Sequence, residues 1–160
     1  MRMAVYPGTF DPVTNGHLDI VKRATKLFDR VILAVAEENY KNNLFSLEER
    51  VKLLRESTGS LPNVVVESFG GLLMDYVQAR GACAIVRGLR AISDFEYEFQ
   101  LSMMNKKLSE EVETVFLMTS SENLFVSSSI IKQVAALGGC IHGLVPPQVE
   151  AALHARYLRK

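Results

Sequence analysis

The chain has 160 residues, 48% of them apolar, with 18 basic and 18 acidic side chains in balance. That is enough for one folded unit, residues 1–160, with a full core, and the balanced charge offers no field to hold nucleic acid or an anionic membrane surface. No apolar run reaches the ~20 residues of a membrane span and none at the N-terminus has the form of a secretion signal, so the expected location is cytoplasmic.

A first strand is expected at Met3 to Tyr6, followed by a loop in which Pro7, Gly8, Pro12 and Gly16 constrain the backbone. Thr14-Asn15-Gly16-His17 then opens a helix, placing a hydroxyl and an imidazole beside the free N–H groups of a helix start, where a phosphate is favoured. A lone histidine is usually structural or solvated. The constrained loop directly before His17 favours a functional reading, which His142 and His154 lack.

The second strand is expected at Val31 to Ala36. Lys41 follows in the polar run Tyr40-Lys41-Asn42-Asn43 and alone would read as a solvated lysine. Ser46-Leu47-Glu48-Glu49 is a capping box that starts the next helix. Strands at Val64 to Val66 and Cys83 to Val86 come next, with Gly81 as a helix stop between them. Cys83 and Cys140 have no cysteine at metal or redox spacing, so both are read as reduced thiols, Cys83 in the core.

Arg87-Gly88-Leu89-Arg90 is expected as the loop beyond the fourth strand, where two arginine forks around a glycine can face one concavity. Pairing with Asp94 or Glu98 is the alternative. From Asp94 to Leu108 a helix carries Tyr97, Leu101, Met104 and Leu108 on one face and Phe95, Phe99 and Met103 on another. That is too much apolar circumference for a surface helix. One face is expected in the core and the other at a subunit interface.

A fifth strand is expected at Thr114 to Met118. Ser127-Ser128-Ser129 precedes Ile130-Ile131-Lys132, and one serine suffices for an N-cap, leaving two hydroxyls for an anion. Gly138-Gly139 stops that helix and Pro146-Pro147 opens the last. Continuous apolar strands alternating with helices predict an α/β fold: a doubly wound, Rossmann-like five-stranded parallel sheet with helices on both faces and an extra C-terminal helix. Ligands of such sheets lie beyond the carboxyl ends of the strands. Thr9, His17, Lys41, Arg87, Arg90 and the three serines converge on that rim. Neither a dinucleotide fingerprint nor a Walker loop is present.

The Thr9-Phe10 loop with Thr14 to His17, the run Arg87 to Arg90 continuing into Asp94-Phe95-Glu96-Tyr97-Glu98, and Phe125-Val126-Ser127-Ser128-Ser129 together resemble bacterial phosphopantetheine adenylyltransferases. The resemblance runs the length of the chain. Thr-x-Gly-His alone marks only the wider nucleotidyltransferase superfamily. The resemblance implies transfer of AMP from ATP to 4'-phosphopantetheine, giving dephospho-coenzyme A and pyrophosphate, with Mg²⁺ carried on ATP, in a cytoplasmic homohexamer. It implies ATP contacts from Thr9, Phe10, His17, Gly88, Leu89, Arg90, Glu98, Asn123, Leu124, Phe125, Val126, Ser127, Ser128 and Ser129. Acceptor contacts would come from Thr9, Lys41, Leu73, Arg87, Leu101 and Asn105, and no protein ligand to the metal is implied. Family members often carry an aromatic residue where Asn123 stands.

A phosphate monoester with a second pKa near ~6 is largely dianionic at neutral pH and attacks without a strong base. Positioning and charge stabilisation then carry the catalysis. His17 would stabilise the transition state, Thr9 and Lys41 would place the nucleophile with Arg87, and Arg90 with the serines would receive pyrophosphate. The rival readings are an adenylyl- or cytidylyltransferase acting on another phosphomonoester, and a nucleotide-binding module without catalysis.

Overall fold

A computed structural model describes residues 1–37 and 42–158 of the chain, so Lys41 lies outside the described residues. Five strands alternate with helices: β1 (Met3–Gly8), α1 (Asn15–Leu27), β2 (Arg30–Ala36), α2 (Leu47–Thr58), β3 (Val64–Phe69), α3 (Leu73–Ala79), β4 (Ala84–Leu89), α4 (Ile92–Leu108), β5 (Glu113–Met118), α5 (Ser128–Ala136) and α6 (Pro147–Tyr157). The strand pairings are all parallel, in the order β3-β2-β1-β4-β5. This is the predicted doubly wound sheet.

The strands at its centre are apolar along most of their length because both faces are covered. Ala4, Tyr6, Leu33, Val35 and Val86 pack with Ile20 and Val21 of α1, Leu54 of α2, Ile131 of α5 and Leu153 of α6. Val5, Ile32, Ala34 and Ile85 pack on the opposite side against Met74 and Val77 of α3. The capping box of Ser46 and Glu49 forms as predicted, Ser127 caps α5, and Gly138 ends that helix at φ 78° with Gly139 donating back to the Val134 carbonyl.

Three expectations are corrected. Arg87, Gly88 and Leu89 belong to β4 itself, because pairing with Phe116, Leu117 and Met118 of β5 extends the ladder past Val86. Cys83 is exposed: it precedes β4 at the amino-terminal rim, where its thiol donates to the Met3 carbonyl. Neither apolar face of α4 enters the core. Tyr97, Met104, Leu108, Phe95, Phe99 and Met103 are all exposed, while Glu98 and Asn105 are buried. The helix turns polar residues inward because its inner face borders a polar cleft and the guanidinium of Arg87.

Candidate active site

The sheet reverses its winding between β1 and β4, the switch point at which such folds hold ligands. Here the β1–β4 ladder consists only of Ala4 against Ala84 and Val5 against Ile85. Beyond it the two strands part, and the gap is spanned by Arg87, whose Nη1 donates to the Pro7 carbonyl at 3.1 Å. A cleft of about 460 Å³ opens there, in the size range of small-molecule sites. It is lined by the β1–α1 loop, β4, the inner side of α4 and the start of α5.

His17 sits at the third position of α1 and completes its cap with its own ring. The Thr14 hydroxyl accepts from the His17 N–H at 3.3 Å, and the Thr14 N–H donates to His17 Nδ1 at 3.0 Å. An Nδ1 that accepts leaves the proton on Nε2, so the imidazole presents a donor to the cleft. Burial, with Arg90 and Arg87 nearby, lowers the His17 pKa to about 4, so the ring is neutral at physiological pH. Phe10 lies edge-on to it at 5.0 Å. Phe10 itself adopts φ 50°, unusual for a residue with a side chain, and the Tyr6 ring lies edge-on to its own at 5.5 Å. Burial likewise raises the Tyr6 pKa to about 12, so its hydroxyl stays protonated. The expected cradle at the α1 start is largely filled by the protein: Thr14 is buried as the cap, and the Asn15 N–H donates to the Leu144 carbonyl.

The two arginines both line the cleft and both pair with acids, so the two readings from sequence are compatible. Arg87 forms a forked pair with Glu98, Nε to Oε2 at 2.8 Å and Nη2 to Oε1 at 2.5 Å. Burial opposes the Arg87 charge, but the Glu98 hydrogen bonds and charge outweigh it and raise the pKa above its ordinary value. Glu98 and Pro7 occupy three of the five guanidinium donors and leave two for a ligand. Arg90 lies 3.4 Å from Asp94 and donates to the Val126 carbonyl at 3.2 Å. Of the serines, Ser127 caps α5, Ser128 donates to the Pro12 carbonyl, and Ser129 lines the cleft.

Residues 5–134 match the model of the cytidylyltransferase-like family. The phosphopantetheine adenylyltransferase of Moorella thermoacetica is 66% identical over 157 residues, covering 98% of both chains. Those of Desulfitobacterium hafniense and Carboxydothermus hydrogenoformans are 58% and 54% identical, over 98% and 100% of this chain and 96% and 99% of theirs. The chain belongs to the phosphopantetheine adenylyltransferase family. Solved structures show the same fold at low identity. A protein provisionally assigned as a nicotinate-nucleotide adenylyltransferase, from Vibrio parahaemolyticus, aligns with TM-score 0.73 at 19% identity over 100% of this chain and 98% of its own. A bifunctional NMN adenylyltransferase/ADP ribose pyrophosphatase from Francisella tularensis gives 0.73 at 18%, over 96% of this chain and 49% of its own.

Of the residues carried over from the phosphopantetheine adenylyltransferase pattern, Thr9, Phe10, His17, Arg87, Gly88, Arg90, Glu98, Val126, Ser127, Ser128 and Ser129 line the cleft. Leu89, Asn123, Leu124 and Phe125 adjoin those residues in sequence or space without lining it; the Asn123 amide is held by Ser120. Leu73 begins α3 and is half-buried against the core, while Leu101 and Asn105 lie on α4 beyond Glu98. Sequence reasoning passed over Asp11, Ile20, Asn42, Asn43, Thr119 and Lys132, which also line the cleft. Lys132 was legible, since it follows Ser128 by four residues and so shares its helix face.

Proposed function

We infer that this chain transfers the adenylyl group of ATP to 4'-phosphopantetheine, making dephospho-coenzyme A and pyrophosphate. The observation that carries the reading is identity of 54–66% with phosphopantetheine adenylyltransferases over nearly the whole chain. The switch-point cleft is consistent with it: donors surround the opening, and its buried acids, Asp11 and Glu98, are each engaged with a cation.

In this reading a phosphate oxygen of phosphopantetheine attacks the α-phosphorus of ATP, the new P–O bond forms, and the bond to the bridging oxygen breaks. The electron pair departs with pyrophosphate. The acceptor is already deprotonated, so no side chain need take a proton. Donors placed where negative charge grows supply the acceleration. His17 Nε2–H is assigned to the α-phosphate, Arg90 with the Ser129 hydroxyl and the main chain of Ser128 to the departing phosphates, and Thr9, Lys41 and the two remaining Arg87 donors to the acceptor. Glu98 holds the Arg87 fork in the plane in which those donors are offered.

No cluster of three metal-ligating side chains occurs among the described residues. The Asp11, Glu98 and Asp94 carboxylates that border the cleft already face Lys132, Arg87 and Arg90. The donor set therefore suits Mg²⁺ arriving as part of MgATP, held by phosphate oxygens and water, rather than a resident metal.

We further propose that copies of the chain associate through the exposed apolar face of α4, with a hexamer as the assembly the resemblance implies, and that the enzyme works in the cytoplasm. No helix among the described residues is long and apolar enough to cross a membrane. Pyrophosphate release from ATP, measured with phosphopantetheine, nicotinamide mononucleotide or no acceptor, tests the function. Release with phosphopantetheine alone is expected; release only with the mononucleotide, or with neither, overturns the assignment.

A further inference from the structure

Arg50 lies on α2, among core leucines, and is only 2% exposed. A buried guanidinium is costly, and an apolar residue there would cost less, so its polar contacts identify its use. Nη1 alone donates to two main-chain carbonyls, Thr9 at 2.9 Å and Ala36 at 3.0 Å. Thr9 stands in the β1–α1 loop and lines the cleft; Ala36 is the last residue of β2. Among the described residues Nε has no partner, and the hydrogen bonds of the Arg50 side chain are those to these two carbonyls.

The same loop also holds the chain where it returns toward α2. Asp11 is 3% exposed and accepts from the Leu44 and Phe45 N–H groups, each at 2.9 Å. Ala36 and Leu44 are thus both fastened to Thr9–Asp11, one through Arg50 and the other through Asp11. Burial lowers the Arg50 pKa, an effect that the nearby Asp11 carboxylate partly offsets. Arg50 does not line the cleft, so it acts only through what it holds.

We propose that Arg50 is a positioning residue for the acceptor half of the site, fixing Thr9 against the end of β2 so that the acceptor phosphate is held in line with the α-phosphate. The proposal rests on phosphopantetheine being the acceptor. Displacing a reacting group by ~1 Å costs on the order of 10²-fold in rate. Arg50→Met keeps the aliphatic bulk and removes the bridge; Arg50→Lys keeps the charge on a shorter stem.

The test measures pyrophosphate release against phosphopantetheine concentration, ATP affinity by calorimetry, and thermal unfolding. In Arg50→Met, kcat/KM for phosphopantetheine should fall roughly 30- to 100-fold while the ATP Kd changes less than about threefold. Arg50→Lys should lie between this and the parent. Unchanged acceptor kinetics in a folded Arg50→Met overturns the proposal, as does an equal loss of ATP affinity, which marks a general structural role. If Arg50→Met does not fold, Arg50→Lys decides: it must lose acceptor kcat/KM selectively, and parental values overturn the proposal. A parent enzyme inert toward phosphopantetheine instead overturns the function and this proposal with it, an outcome visible before any variant is made.

Discussion

His17→Ala separates two contributions that the structure assigns to one ring. The substitution removes the acceptor for the Thr14 N–H and the Nε2 donor facing the cleft. Loss of a capping contact costs about 1 kcal/mol, which for a chain of this size lowers Tm by about 2–4 °C. Domains of this kind are stable by about 5–15 kcal/mol, so the variant remains almost wholly folded at 25 °C. Loss of a donor at the transition state costs about 2.7–4 kcal/mol, equivalent to a roughly 10²- to 10³-fold fall in kcat. The two losses therefore differ by more than twofold in free energy and appear in different assays. A thermal melt gives the first and pyrophosphate release the second, while ATP affinity by calorimetry should move little. His17→Gln, whose carbonyl can still close the cap, should recover the melt and not the turnover. A folded His17→Ala variant with kcat within fivefold of the parent would refute the role, and so would a decline in kcat that merely tracks the unfolded fraction.

Three further outcomes follow from the same geometry. With its pKa near 4, the His17 ring should show no titration in its NMR resonances between pH 5.5 and 8, and a midpoint near 6.5 would contradict its burial. The unfolded chain takes up the proton near pH 6.5, so the neutral-imidazole contribution to stability is complete above that value and is lost as pH falls toward 4. Glu98→Ala leaves the Arg87 fork without its acid; the cost should be about 2–3 kcal/mol in urea unfolding, below the range for sealed pairs because the Arg87 side chain is 26% exposed. A change under about 0.5 kcal/mol would show the pair to be structurally idle. Replacing Phe99 and Met103 by aspartate should leave the fold intact and reduce the sedimenting mass, and an unaltered assembly would place the interface elsewhere on the surface.

Where sequence reading succeeded, the determinant was local. Strand positions and helix starts follow from apolar continuity and capping chemistry, which neighbouring residues specify by themselves. The three serines and the two arginines reached the same rim because parallel strands place all their following segments at one end. Failures came from relations between distant segments. Helical spacing showed that α4 is apolar on two sides but could not show that its buried side would be Glu98 and Asn105, because that depends on Arg87 reaching out from β4. Cys83 was misplaced by one residue at a strand entrance, enough to exchange core for solvent. Asp11 drew no reading from the sequence, because its contacts lie 33, 34 and 121 residues away.

The pairing of cations with acids around the cleft has a consequence for selectivity in a crowded solution. Arg87, Arg90 and Lys132 are each neutralised by a carboxylate, Glu98, Asp94 and Asp11. Among the described residues, the resting cleft is therefore close to electroneutral and exerts little pull on anions that are merely abundant. Inorganic phosphate or sulfate would gain little by entering, whereas a ligand that reaches several of the unused donors at once gains from all of them. Among these residues, choice between anions thus rests more on shape than on net charge.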